Sequence, residues 1–131
     1  MILPFQSIYG SYINAAYFDN EHSILINGKG SITEMPKLNV PLETYKVKKG
    51  ARYRFRLIHA GINWCPMSIS IDGHNLTVIS SDGQPIEPIQ EVESFVCESG
   101  ERYDFVVNAN QEAKDYWIKV RGEGVCHYLN I

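Results

Sequence analysis

Apolar and polar residues alternate with a period of two along most of this chain, and the longest run is Arg52 to Ala60. In an extended strand successive side chains point to opposite faces. Tyr53, Phe55 and Leu57 therefore share one face, and Arg52, Arg54 and Arg56 the other. The same period predicts strands over Met67 to Ile71, Leu76 to Ser80 and Arg102 to Asn108. In the last of these, Tyr103, Phe105 and Val107 oppose Arg102, Asp104, Val106 and Asn108. Shorter pieces at Ile24 to Ile26, Glu43 to Val47, Val92 to Glu98 and Tyr116 to Val120 complete about eight strands. Turn dipeptides punctuate them at Asn27-Gly28, Lys49-Gly50, Asp72-Gly73, Asp82-Gly83 and Ser99-Gly100. Pro85 and Pro88 forbid a central strand between them. One helical turn is expected around Asn110 to Ala113, capped by Asn110 or Asn108. Short strands and frequent turns predict an all-β, antiparallel sandwich or barrel.

Met1 to His22 sustains neither period and reads as a lead-in or interdomain linker, leaving 23–131 as the domain. Its aromatics, among them Phe5, Tyr9, Tyr12 and Tyr17, are expected to wrap over the domain or a neighbour.

Composition narrows the class. The 131 residues suffice for one domain with its own core, and 44% apolar with 21% charged residues is ordinary for a globular protein. The net charge of −3, without a broad basic patch bearing stacking aromatics, sets nucleic acid aside. No run approaches the ~20 apolar residues of a membrane span. Met1-Ile2-Leu3-Pro4-Phe5 lacks the basic front of a secretory signal, so a signal is expected upstream if the protein is secreted. Three cysteines, Cys65, Cys97 and Cys126, leave one over after a bridge, which suits a piece of a longer protein.

Several segments occur in a telling order: Ser23 to Gly30 (SILINGKG), Arg52 to Ile58 (RYRFRLI), Ser70 to Ile79 (SIDGHNLTVI), Gly100 to Gln111 (GERYDFVVNANQ) and Tyr116-Trp117-Ile118. Together they resemble the second, middle cupredoxin-like domain of laccase-type multicopper oxidases. Cys65-Pro66 and Arg121 to Cys126 give the resemblance an animal, arthropod-like flavour. It implies a Greek-key cupredoxin-like fold and a secreted, three-domain parent. That parent would oxidise phenols, diphenols or ferrous iron by single electrons and reduce dioxygen to water. Its copper would reside in the flanking first and third domains. The middle domain would act as a copper-free spacer and line part of the substrate pocket, inactive in isolation. Relatives also carry one more apolar strand after the region of Cys126, so an open sheet edge is expected here.

The residues point the same way. A blue copper centre takes two histidines and a cysteine, usually with a weak axial Met. Among His22, His59, His74 and His127 no two are separated by one residue. Cys126-His127 is followed by neither Met nor His, and a satisfied ring explains His59 better than a ligand role. No nucleophile elbow, phosphate loop or paired-cysteine zinc pattern is present. Asp72 and Asp82 belong to turns, and Asp104 suits an ion pair with a nearby arginine. The expected metal ligands and catalytic residues in this chain are none. The resemblance makes Trp64, Pro66 and Met67 candidate pocket residues, although Pro66 stands where fungal relatives place a phenol-binding acid. Asn75-Leu76-Thr77 is an N-glycosylation sequon. Cys65 has two pairings open. A bridge to Cys126 would close a long segment, worth roughly 4 kcal/mol on chain entropy. A bridge to a cysteine of the first domain, as in fungal laccases, is the one preferred. Cys97 is expected as a buried thiol. The alternative to an oxidase domain is a non-catalytic binding or scaffold module of the same fold.

Overall fold

The computed structural model describes residues 24–30, 41–61 and 65–126. The expected lead-in over 1–22, the pocket candidate Trp64 and residues 127–131 lie outside them. Contacts divide the chain into two compact units, Met1–Thr44 and Tyr45–Ile131. In the first, Ile26 and Lys29 exchange backbone hydrogen bonds of 2.8 and 3.0 Å across Asn27-Gly28. Both turn residues have positive φ, 51° and 79°, the conformation that a tight two-residue hairpin requires. Lys29 also pairs with Glu43 at 2.8 Å.

The second unit is built from seven strands among the described residues: β1 (Arg52–Ile58), β2 (Met67–Ile71), β3 (Leu76–Ser81), β4 (Gln84–Val92), β5 (Ser94–Cys97), β6 (Arg102–Asn108) and β7 (Ile118–Gly122). They form two antiparallel sheets, one ordered β1-β6-β3-β4 and the other β5-β2-β7. The alternation that predicts β1 and β6 is the alternation observed. Arg52, Arg54 and Arg56 are exposed, and the aromatic face turns inward. Register fixes the core. Phe55 lies opposite Phe105, and Val78 and Leu76 lie opposite Phe105 and Val107. Phe105 is stacked on Phe55 at 5.3 Å and meets Phe95 of the other sheet edge-on at 5.4 Å. Phe95 also meets Tyr103 at 5.5 Å, so aromatic rings link the inner faces of the two sheets.

Five local expectations need correction. Among the described residues Ile24 to Ile26 makes only the single bridge of Ile26 with Lys29, and the strand expected over Val92 to Glu98 is divided between the end of β4 and β5, which lie in different sheets. Glu43 to Val47 forms no strand; Tyr45 and Val47 are exposed, and no described strand offers that segment a ladder. The segment holding Pro85 and Pro88 is a strand after all. β4 runs through both prolines because it is an edge strand, where a missing N–H faces solvent. A two-residue turn with φ of 49° at Asp82 and 81° at Gly83 delivers it from β3. Finally, 110–113 makes bends rather than a helical turn, and the short helix is a 3-10 turn at Gly124–Cys126.

Candidate functional site

Hydrophobic pairing in the smaller sheet brings the cysteines together. The register places Met67, the first residue of β2, opposite Cys97 of β5 and Gly122 of β7. Cys65 precedes that point by two residues, and the 3-10 turn after β7 swings Cys126 back to it. The two form a disulfide with a Cα–Cα distance of 5.5 Å across a sequence separation of 61. Of the two pairings open to Cys65, the structure makes the internal one. The preference for an external partner is corrected by that register. Glu123 N–H donates to Pro66 O at 2.8 Å, and Cys126 N–H to Glu123 O at 3.0 Å. Gly122 is required here: a Cβ would stand 2.9 Å from the carbonyl carbon of Cys126 and 3.0 Å from its Cβ.

His59 braces the same corner. It is buried, and Gly61 N–H donates to Nδ1 at 3.1 Å. That acceptor role leaves the proton on Nε2, which donates to Cys65 O at 3.0 Å. Its backbone N–H donates to Glu101 O and its carbonyl accepts from Gly100 N–H, at 3.0 and 2.8 Å. The ring thus ties the end of β1 to the disulfide. Both nitrogens are committed to backbone, so His59 is a structural histidine.

The third cysteine does not join them. Cys97 is fully buried and its Sγ–H points at the carbonyls of Glu98 and Glu101, 3.6 and 3.7 Å away. Burial first, then the charges of Glu101, Asp82 and Glu98, push its pKa up to about 12. A thiol held protonated in this way is a poor nucleophile at neutral pH.

Pro66 and Met67 are half-buried where the chain enters β2. Sequence reasoning names them and expects a satisfied ring at His59, as the two backbone bonds of that ring show, yet it misses Gly122, against which the turn at Cys126 packs. A glycine where β7 ends is the one signal that could have found it. At the far end of β2, His74 Nδ1–H donates to Asp72 O at 2.9 Å and its ring meets Tyr116 edge-on at 4.7 Å. Asp72 pairs with Lys119 at 2.6 Å, and Asp104 with Arg54. Asp82 pairs with Arg102 at 3.1 Å and accepts its backbone N–H. Each carboxylate that invites a catalytic reading thus has a structural partner. Asn75 is exposed just outside this hairpin, while Leu76 beside it is fully buried.

Among the described residues no three His, Cys, Asp or Glu side chains converge as a metal site would require. The donors among the described residues are one disulfide, one protonated thiol and two hydrogen-bonded histidines, and these do not make a copper ligand set. This corner ties the end of β1 and the start of β2 to the turn that follows β7.

The chain matches the family described as Multicopper oxidase over residues 7–129. It is 46% identical over 95 residues to Laccase-4 of Thanatephorus cucumeris, covering 72% of this chain and 17% of that protein. It is 38% identical over 103 residues to Laccase-1 of Fomitopsis schrenkii, covering 79% and 19%. Among solved structures, a laccase from Botrytis aclada superposes with a TM-score of 0.60 at 32% identity, over 75% of this chain and 19% of that one. Fet3p, a multicopper oxidase that functions in iron import, shares the fold with a TM-score of 0.55 at 21% identity, over 60% of this chain and 15% of that one. The chain therefore spans less than a fifth of the length of these proteins.

Proposed function

Because the chain belongs to the multicopper oxidase family, we propose that it is the middle cupredoxin-like domain, 23–131, of a laccase-like parent, itself copper-free and serving as a spacer and pocket wall. One observation carries this reading: family likeness spans nearly the whole chain, yet its described donor groups are spent on backbone, ion pairs and a disulfide. The parent would take single electrons from phenols, diphenols or ferrous iron at copper held by first and third domains, and pass them to dioxygen. This domain's share is mechanical. The disulfide, the His59 brace and the aromatic core make a stiff body, which suits a part that sets the distance between two neighbours.

The wall would be formed by Trp64, Pro66 and Met67, lining the site of the reducing substrate. The side chain of a proline after Cys65 offers a phenol neither a hydrogen bond nor a charge, so Pro66 would contribute apolar contact to this wall. Secretion of the parent accords with the disulfide. The sequon at Asn75 would carry a glycan, and its exposed side chain gives the room for one. The relatives compared above are fungal, so the arthropod flavour of the sequence gains no support and is left out of the proposal.

The test is the full-length transcript of the parent. His-x-His pairs upstream and a His-Cys-His element downstream are the expected result. A complete reading frame with neither would sink the oxidase assignment and leave the scaffold module in its place.

A further inference from the structure

Half of the chain's positive charge stands in eleven consecutive residues. Lys46, Lys48, Lys49, Arg52, Arg54 and Arg56 are all exposed, and no Asp or Glu occurs from 46 to 56. Arg54 pairs with Asp104. The other five make no ion pair among the described residues. Three of the six stand at alternate positions of β1, and among the described residues β1 is the edge of its sheet.

The backbone of that edge is arranged in the same rhythm. His59 N–H bonds Glu101 O across the β1–β6 pair, and the register runs without a shift from Arg52↔Asn108 to Ile58↔Arg102. Hydrogen-bonded and non-bonded pairs alternate in an antiparallel ladder. Leu57, Phe55 and Tyr53 therefore direct N–H and C=O to β6, while Arg56, Arg54 and Arg52 direct theirs to the free edge. The opposite edge of the sheet, β4, is blunted by Pro85, Pro88, register shifts and a positive φ at Glu91. β1 has none of these devices. It is seven residues long, free of proline and in unbroken register with β6.

We infer that the β1 edge is a docking site for an extended acidic segment of a partner polypeptide, added to the sheet as an antiparallel strand. In such an addition the residues directly opposite Arg52, Arg54 and Arg56 stand on the same face at a Cα spacing of about 5.5 Å. Asp or Glu at every second position would meet the arginine row in register. Apolar residues between them would lie along the rims of Tyr53, Phe55 and Leu57, which are half-buried. The same row repels a second copy of this edge, so the partner is acidic rather than identical.

The test uses the 131-residue chain and a labelled peptide in which Glu alternates with Val, titrated by fluorescence anisotropy at low salt. Saturable binding is expected, weakened by about tenfold or more in an R52E/R56E variant. The variant's far-ultraviolet spectrum and melting curve should match the wild type, because both sites are exposed. A peptide N-methylated at the amides facing β1 should not bind, nor should the Lys-Val counterpart. Equal binding of the N-methylated peptide, or equally good competition by polygalacturonate, would show a general polyanion surface and overturn strand addition. No binding, or self-association of the chain in place of peptide binding, would overturn it as well.

Discussion

Removing the Cys65–Cys126 bridge should cost this chain more than any single surface change. The perturbation is the C65S/C126S double variant, which keeps side-chain volume nearly unchanged. A sequence separation of 61 gives a loop-closure entropy worth about 4 kcal/mol at 25 °C. The loss acts through the unfolded chain, because the contacts that hold the corner remain. His59 still reaches Cys65 O, and Glu123 still donates to Pro66 O. With a urea slope of about 2 kcal/mol/M for a domain of this size, the midpoint should fall by roughly 2 M. The assay is equilibrium urea unfolding of the oxidised wild type, the reduced wild type and the variant, followed by tryptophan fluorescence. Reduced wild type and variant should superimpose, since Cys97 takes no part in either. A variant within about 1 kcal/mol of the oxidised protein would refute the entropic argument. A non-reduced peptide map with Cys65 free or joined elsewhere would refute the pairing itself.

Further outcomes follow from the same packing. His59→Ala leaves Gly61 N–H and Cys65 O without their partner and should destabilise by about 2–4 kcal/mol in urea titrations. Phe105→Ala empties the contact between the sheets and should cost about 3–5 kcal/mol, read the same way. Cys97 sets an alkaline limit. Its thiol is raised from 9.0 to about 12 in the folded chain, so the unfolded chain loses the proton first. Its effect on stability is nil below about pH 9 and grows unfavourable between about pH 9 and 12, and C97A should flatten that decline in a pH series of melts. Secreted expression followed by intact-mass analysis should show a glycan that N75Q abolishes; an unchanged mass would remove Asn75 as an attachment site.

What could be read from the sequence and what could not divides along physical lines. β1 and β6 were legible because each buries one face only, so two-residue alternation survives from Arg52 to Ile58 and from Arg102 to Asn108. β4 was not, because its prolines read as breakers unless the strand is known to lie at an edge, and edge position is a property of the sheet. Glu43 to Val47 shows the reverse error. It alternates, but among the described residues no strand forms a backbone ladder along it. At the corner, the residue types announced a disulfide and a satisfied histidine, whereas the partner of Cys65 depended on the register of Met67 against Gly122. The role of His59 rests on a carbonyl six residues away, which no local pattern encodes. Likewise, the arginine row was visible at once. That its backbone faces an edge no described strand covers required the ladder.

The most direct test of the central claim is the copper content of the purified chain after incubation with excess copper and exhaustive dialysis, measured by elemental analysis together with the visible spectrum. A domain whose role is to space and wall should retain far less than one copper per chain and show no blue absorption band. One tightly held copper per chain with that band would contradict the account.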